Sequence, residues 1–183
     1  APDYHLEAGS GTHAEQTAKI MVEFEKVCLE EMPSVVVVVG DVNSTLACSI
    51  TAKKLGIKVA HVEAGLRSGD WAMPEEINRI VTDSISDYLF VTEKSGMDNL
   101  LQEGKQLESI HFVGHVMVDN LLHIRDGLTE DELEGSEVGK LRDRLARYAF
   151  VTLHRPSNVD DPESFSGIID ALNTISQELP IIF

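Results

Sequence analysis

The sequence predicts an α/β protein with Rossmann-like, doubly wound parallel sheets. Two observations carry this prediction. Apolar runs of strand length alternate with longer segments of helical period. Residues 34–39 (SVVVVV) form an almost unbroken β-branched run, the composition of a strand covered on both faces in a parallel sheet.

The elements follow in order. Thr12-x-x-Glu15 is a capping box that opens a helix over 13–32. The valine run 34–39 is the first strand, followed by a helix over 44–55 and a strand over 58–62. Pro74 fits the first position of a helix over 75–86, and Glu75 and Glu76 suit the electropositive start of that helix. Strands at 88–91 and 110–113 flank a helix at 94–104, and a helix at 116–126 follows. Residues 126–139 (DGLTEDELEGSEVG) are acidic with few large apolar side chains and read as a linker. The pattern restarts with a helix at 137–147, a strand at 149–153, a helix at 162–178 and a last strand at 180–183. This gives three segments: a first domain over 1–125, an acidic linker and helix over 126–147, and the start of a second domain over 148–183. A Gly-rich loop opens the chain with no strand before it, and a bare apolar strand ends it. The sequence is therefore expected to be an internal piece of a longer protein.

Composition narrows the function. The formal net charge is −16, which repels polyanions and argues against nucleic-acid partners. Cys28 and Cys48 match no C-x-x-C spacing and read as buried thiols in a reducing, cytoplasmic compartment. No apolar run approaches the ~18 residues of a membrane span, and no charged segment followed by an apolar one marks a signal peptide. P-loop, G-x-G-x-x-G, H-E-x-x-H and G-x-S-x-G motifs are missing, which argues against ATPase, dehydrogenase, zinc protease and α/β-hydrolase chemistry. No metal or cofactor is expected.

Three places gather chemistry. Asp41 follows the valine run and Glu63 follows the next strand; in open α/β sheets, ligands sit beyond the carboxyl ends of strands. Asp41 and Asn43 also read as simple helix caps, and His61 as a core histidine. In 61–79 (HVEAGLRSGDWAMPEEINR), Gly65 and Gly69 bracket Arg67, and Glu75 and Arg79 are spaced for an i, i+4 ion pair. Glu76 points about 100° away from Glu75. Finally, His154 and Arg155 end the strand at 149–153 and suit phosphate binding, whereas Pro156 and Asp161 read as turn and cap.

Together these segments resemble the non-hydrolysing UDP-N-acetylglucosamine 2-epimerases. The likeness runs through GSGTHAEQTAK, VVGDVNSTLA, HVEAGLRSGDWAMPEEINR, SDYLFVTEKSGMDNLLQEG and VTLHRPSNVDDPE, which span nearly the whole sequence in order. The hydrolysing branch differs at the third of these. Gly114-His115 departs from the family's Gly-Asn. The resemblance implies a GT-B-type fold of two Rossmann-like domains with the UDP-sugar between them. It also implies that the family's first strand and most of its second domain have no counterpart here, so that this stretch alone is inactive. The implied reaction is reversible C2 epimerisation of UDP-GlcNAc to UDP-ManNAc, by elimination and re-addition of UDP, for cell-surface polysaccharide precursors. Asp41, Glu63 and Glu75 become acid/base candidates, and His154 a stabiliser of the departing diphosphate. Arg67, Arg79 and Arg155 become substrate contacts, with Arg79 also placed to orient Glu75. A homodimer is expected from the resemblance alone. A hydrolysing epimerase that releases ManNAc and UDP, and a non-catalytic UDP-sugar-binding module, are the alternatives.

Overall fold

The computed structural model describes residues 2–129, 132, 134–153 and 155–183, and the chain divides into two compact units, 1–120 and 121–183. The first unit runs α1 (His13–Glu31), β1 (Val35–Val39), α2 (Asn43–Lys54), β2 (Lys58–Val62), α3 (Pro74–Ile85), β3 (Tyr88–Val91), α4 (Lys94–Gln102) and β4 (Ile110–Phe112). Helix α5 (Val116–Gly127) carries the boundary between the units. In the second unit, α6 (Glu137–Arg144) precedes β5 (Ala149–Phe150), a short helix α7 (Pro156–Val159), α8 (Pro162–Ser176) and β6 (Ile181–Ile182). Strands β5 and β6 pair in parallel, Ala149 with Ile181 and Phe150 with Ile182. The two sheets and the alternating helices are the α/β class with parallel sheets that the sequence predicts.

The starts of the helices follow local chemistry. At α1 the capping box is complete: Glu15 N–H donates to Thr12 Oγ1 at 3.3 Å, and Thr12 N–H donates to Glu15 Oε2 at 2.9 Å. Pro74 is the first residue of α3. Asp161 caps α8 by accepting Ser164 N–H at 2.9 Å.

The four strands of the first unit are parallel and stand in sequence order, β1-β2-β3-β4. Sequential parallel strands joined by right-handed crossovers put their helices on one side. Burial agrees. Val36, Val38 and Val59 pack with Cys28 of α1 and Ala52 of α2. Leu89, Val91 and Ile110 pack with Ala64 and with Leu100 of α4. The alternate residues Val35, Val37 and Val39 are exposed. The valine run is expected to be covered on both faces; among the described residues one face of β1 is packed and the other exposed.

The turn after β2 is tied to α4 by glycine. Gly65 has φ +80°, and a Cβ there would overlap the backbone of Gly96. The absence of side chains at both positions lets loop and helix touch. Both cysteines are free. Burial, with the nearby Cys28, pushes the Cys48 thiol up to about 11.

Candidate active site

Parallel register places the carboxyl ends of β1 and β2 side by side, since Val39 pairs with Val62. The residues that follow, Asp41 and Glu63, therefore leave the sheet at the same rim. Helix α3 starts at the same level and brings Arg79 to them. The Arg79 Nη2 is 2.8 Å from Asp41 Oδ2 and 4.0 Å from Glu63 Oε2. All three side chains are partly open to solvent, at 12% for Arg79, 25% for Asp41 and 21% for Glu63. One guanidinium thus serves two carboxylates, and its Nε is buried with no hydrogen-bond partner among the described residues.

The backbone at this rim is unusual on both strands. Gly40 has φ +71° and Glu63 has φ +69°. A glycine takes such a value freely, but a glutamate there is strained, and such strain concentrates at functional sites. Helix α2 begins behind Asp41 with Val42 at its cap position and no side-chain cap bond. Asp41 is thus turned away from capping and toward Arg79.

A cleft of about 280 Å³ adjoins the rim, lined among others by His13, Gln16, Asn43, Glu75 and Asn78. Its walls are joined by amides. Asn78 Nδ2 donates to the Asp41 carbonyl at 2.8 Å, and Asn43 Nδ2 donates to Gln16 Oε1 at 2.9 Å. Glu75 lines this cleft. The i, i+4 spacing suggested that Arg79 pairs with Glu75; instead it pairs with Asp41 and Glu63. The inward turn of α3 toward the strand ends puts two longer-range partners within reach.

A second charged cluster lies directly below. His61 Nδ1 is 2.7 Å from Asp83 Oδ1, and both side chains are fully buried. Asp83 Oδ2 accepts from the Gly65 N–H at 3.0 Å and from Arg67 Nη1 at 2.8 Å. Arg67 also donates from Nε and Nη2 to the two oxygens of Glu103, at 2.8 and 2.6 Å. Burial works against the Arg67 charge, but the carboxylates of Glu103 and Asp83 hold its pKa above the usual value. Arg67, a candidate substrate contact by sequence, has its guanidinium committed to these two carboxylates.

Glu76 is likewise more than a helix-start charge. Its carboxylate accepts from Ser68 N–H at 2.8 Å, Gly69 N–H at 3.0 Å and the Ser68 hydroxyl at 3.0 Å. Burial pushes this carboxyl up, yet these donors and the charge of Arg67 outweigh it and hold the pKa below the ordinary carboxylate value. Glu76 staples the loop that carries Arg67.

Of the remaining sequence candidates, Arg155 is exposed in the second unit, and its carbonyl accepts from Asn158 and Val159 N–H at 2.9 and 3.2 Å. His154 lies outside the described residues. Sequence reasoning missed Asn78, His13 and Gln16 as cleft residues. Asn78 sits three residues after Glu75 and one before Arg79 on α3, a spacing that marks the same inward side. Among the described residues, no group of three or more His, Cys, Asp and Glu side chains suits a metal ion, and no helix is long and apolar enough to cross a membrane.

Comparison with known proteins adds to this geometry. A family model described as UDP-N-acetylglucosamine 2-epimerase matches residues 1–183. A UDP-N-acetylglucosamine 2-epimerase of Methanococcus maripaludis is 44% identical over 184 residues, covering 100% of this chain and 50% of that protein. A UDP-2,3-diacetamido-2,3-dideoxy-D-glucuronate 2-epimerase of Pseudomonas aeruginosa is 43% identical over 176 residues, covering 95% of this chain and 48% of that protein. The crystal structure of Methanocaldococcus jannaschii UDP-GlcNAc 2-epimerase in complex with UDP-GlcNAc and UDP superposes with a TM-score of 0.85 at 45% identity, covering 100% of this chain and 50% of that one. The chain thus spans about half the length of the relatives it matches.

Proposed function

Since the chain belongs to the UDP-N-acetylglucosamine 2-epimerase family, we propose that the full-length protein interconverts UDP-GlcNAc and UDP-ManNAc without hydrolysis. The observation that carries this reading is the convergence of Asp41 and Glu63 on Arg79 at the carboxyl ends of two adjacent strands.

The chemistry explains why such a rim is needed. The C2–H of a UDP-sugar is not next to a carbonyl, so its direct removal is unfavourable. Breaking the C1–O bond first makes C1 oxocarbenium-like and C2–H acidic. UDP leaves with the bonding electrons, a base takes the C2 proton, and a 2-acetamidoglucal remains. The reverse step delivers a proton to the opposite face of C2 while UDP returns to C1, so atoms and charge balance over the cycle. Two faces need two acid/base groups, each contributing on the order of 10²–10⁴-fold. Asp41 and Glu63 stand at the rim for these roles, with Glu75 along the adjoining cleft as the third candidate. Arg79 fixes the orientation of the two rim carboxylates and supplies a cation against the developing negative charge. His154 and Arg155 are proposed to meet the departing diphosphate. The place of the reaction in cell-surface polysaccharide synthesis, a cytoplasmic location and a homodimeric state belong to the same reading.

The Pseudomonas relative supports a second substrate reading, because its substrate undergoes the same C2 inversion on a different UDP-sugar. Turnover of the full-length protein in D₂O tests both. UDP-GlcNAc is expected to give UDP-ManNAc, with deuterium at C2 of both UDP-sugars. Free ManNAc with UDP would identify a hydrolysing enzyme instead. Exchange confined to the diacetamido uronate would favour the second substrate. Nucleotide binding without exchange on either sugar would leave a binding module.

A further inference from the structure

The buried pair below the rim has no part in the reaction as written, yet it grips the rim from beneath. His61 Nδ1 faces Asp83 Oδ1 at 2.7 Å, and Nε2 faces the carbonyl oxygen of Gly40 at 2.8 Å. A carbonyl only accepts, so Nε2 must carry a proton, and a second proton lies between Nδ1 and Asp83. Asp83 cannot swing away, because its other oxygen holds Gly65 N–H and Arg67 Nη1. The imidazole is thereby fixed with one N–H aimed at a single backbone carbonyl.

That carbonyl belongs to the peptide joining Gly40 to Asp41. Gly40 sits at φ +71° without a Cβ, so the turn has little stiffness of its own. Its N–H donates to the Val62 carbonyl at 3.0 Å. With the imidazole on its C=O, both polar groups of Gly40 are tied to β2. The peptide plane that launches Asp41 toward Arg79 is then set. An apolar side chain would fill a core position at less desolvation cost than a buried polar one; what His61 adds is directional hold on that plane.

We propose that His61, oriented by Asp83, is a positioning residue for Asp41. This rests on the acid/base reading of Asp41 given above. The arrangement separates two hydrogen bonds that two substitutions can divide. In His61→Asn the amide occupies the place of Nδ1, within reach of Asp83 but not of Gly40. In His61→Gln the amide nitrogen reaches the place of Nε2 and Gly40, leaving Asp83 with Gly65 and Arg67.

The experiment compares these variants in the full-length protein, by kcat and KM for C2 exchange, melting temperature and crystal structure. His61→Asn is expected to lower kcat by about 10²-fold, the size of effect that a displacement of about 1 Å produces, with KM within about threefold. His61→Gln is expected to exceed the Asn variant in kcat by at least about tenfold, although it leaves Asp83 one partner short. The opposite order, or kcat losses that simply follow the two melting temperatures, overturns the proposal. The crystal structures read the same point without turnover: Asp41 stays on Arg79 in the Gln variant and leaves it in the Asn variant. If wild-type protein shows no C2 exchange, the epimerase reading falls, and the structures alone decide the positioning. Should neither variant fold, Asp83→Asn provides the test. Its amide can donate to Nδ1 and so keep the proton on Nε2. Its kcat loss should stay below about tenfold, whereas a loss as large as that of Asp41→Asn overturns the proposal.

Discussion

Two charged clusters share the end of β2 and helix α3. The upper one, Asp41, Glu63 and Arg79, is partly open to solvent, has one guanidinium for two carboxylates and leaves Arg79 Nε without a partner among the described residues. The lower one, His61, Asp83, Arg67 and Glu103, is fully buried at His61 and Asp83, and is open only at Glu103, its outer end. Buried charges are tolerated when fully hydrogen-bonded, and the lower cluster meets that condition. Its inner members, His61 and Asp83, are fully buried and held by hydrogen bonds. The upper cluster is partly open, with a strained glutamate besides. The difference teaches that charge alone is a poor guide; unsatisfied, partly open charge at a strand end is what favours the upper cluster as the proposed site.

The largest break in this comparison comes from the lower cluster. Asp83→Ala leaves the His61 Nδ1 and the Arg67 guanidinium without their shared carboxylate. Removing one partner of a buried ion pair costs about 3–5 kcal/mol, so a loss of that size is expected in denaturant unfolding of the full-length protein. A loss below about 1 kcal/mol would mean that the lower cluster is not the scaffold described here.

A smaller effect of opposite sign is expected above. Glu63→Gly relieves the φ +69° strain. It should raise the melting temperature by an amount equivalent to about 1 kcal/mol while removing C2 exchange. A variant that is both less stable and still active would contradict the assignment of Glu63 to chemistry.

The smallest effect concerns the loop between the clusters. The Glu76 carboxyl is held below its ordinary value in the folded chain. Its contribution is therefore complete above the unfolded value of about 4.3 and lost as pH falls through the folded one. The stability advantage of wild type over Glu76→Gln should be greatest at neutral pH and shrink on acidification, as followed by urea midpoints. An advantage that grows toward acid pH would reverse the sign argued here.

The sequence carried the local parts of this account and missed the distant ones. The strand over 58–62 and the one over 88–91 are found at those residues, and Pro74 opens its helix, because alternation and capping are read from neighbours. Placing Asp41 and Glu63 after successive strands was enough to put them at one rim once the strands paired in parallel. Arg79 was read through its spacing from Glu75, yet its partners come from strand ends sixteen and thirty-eight residues away. His61 was legible as buried, but not as the holder of Gly40. That role depends on Asp83, twenty-two residues on, and on the register of β1 with β2. The exposure of Val35, Val37 and Val39 among the described residues could not be read from five valines either, since the side on which α1 and α2 pack follows from the order of strands and not from their composition.

The central claim, that the upper cluster does the chemistry and the lower one holds it up, is tested most directly by one pair of exchange rates. C2 deuterium exchange on UDP-GlcNAc would be measured for full-length Asp41→Asn and for Glu103→Gln, a change at the partly exposed outer end of the lower cluster. A loss on the order of 10²–10⁴-fold is expected for the first and a rate within about threefold of wild type for the second. Equal losses in both, or exchange that survives in Asp41→Asn, would contradict it.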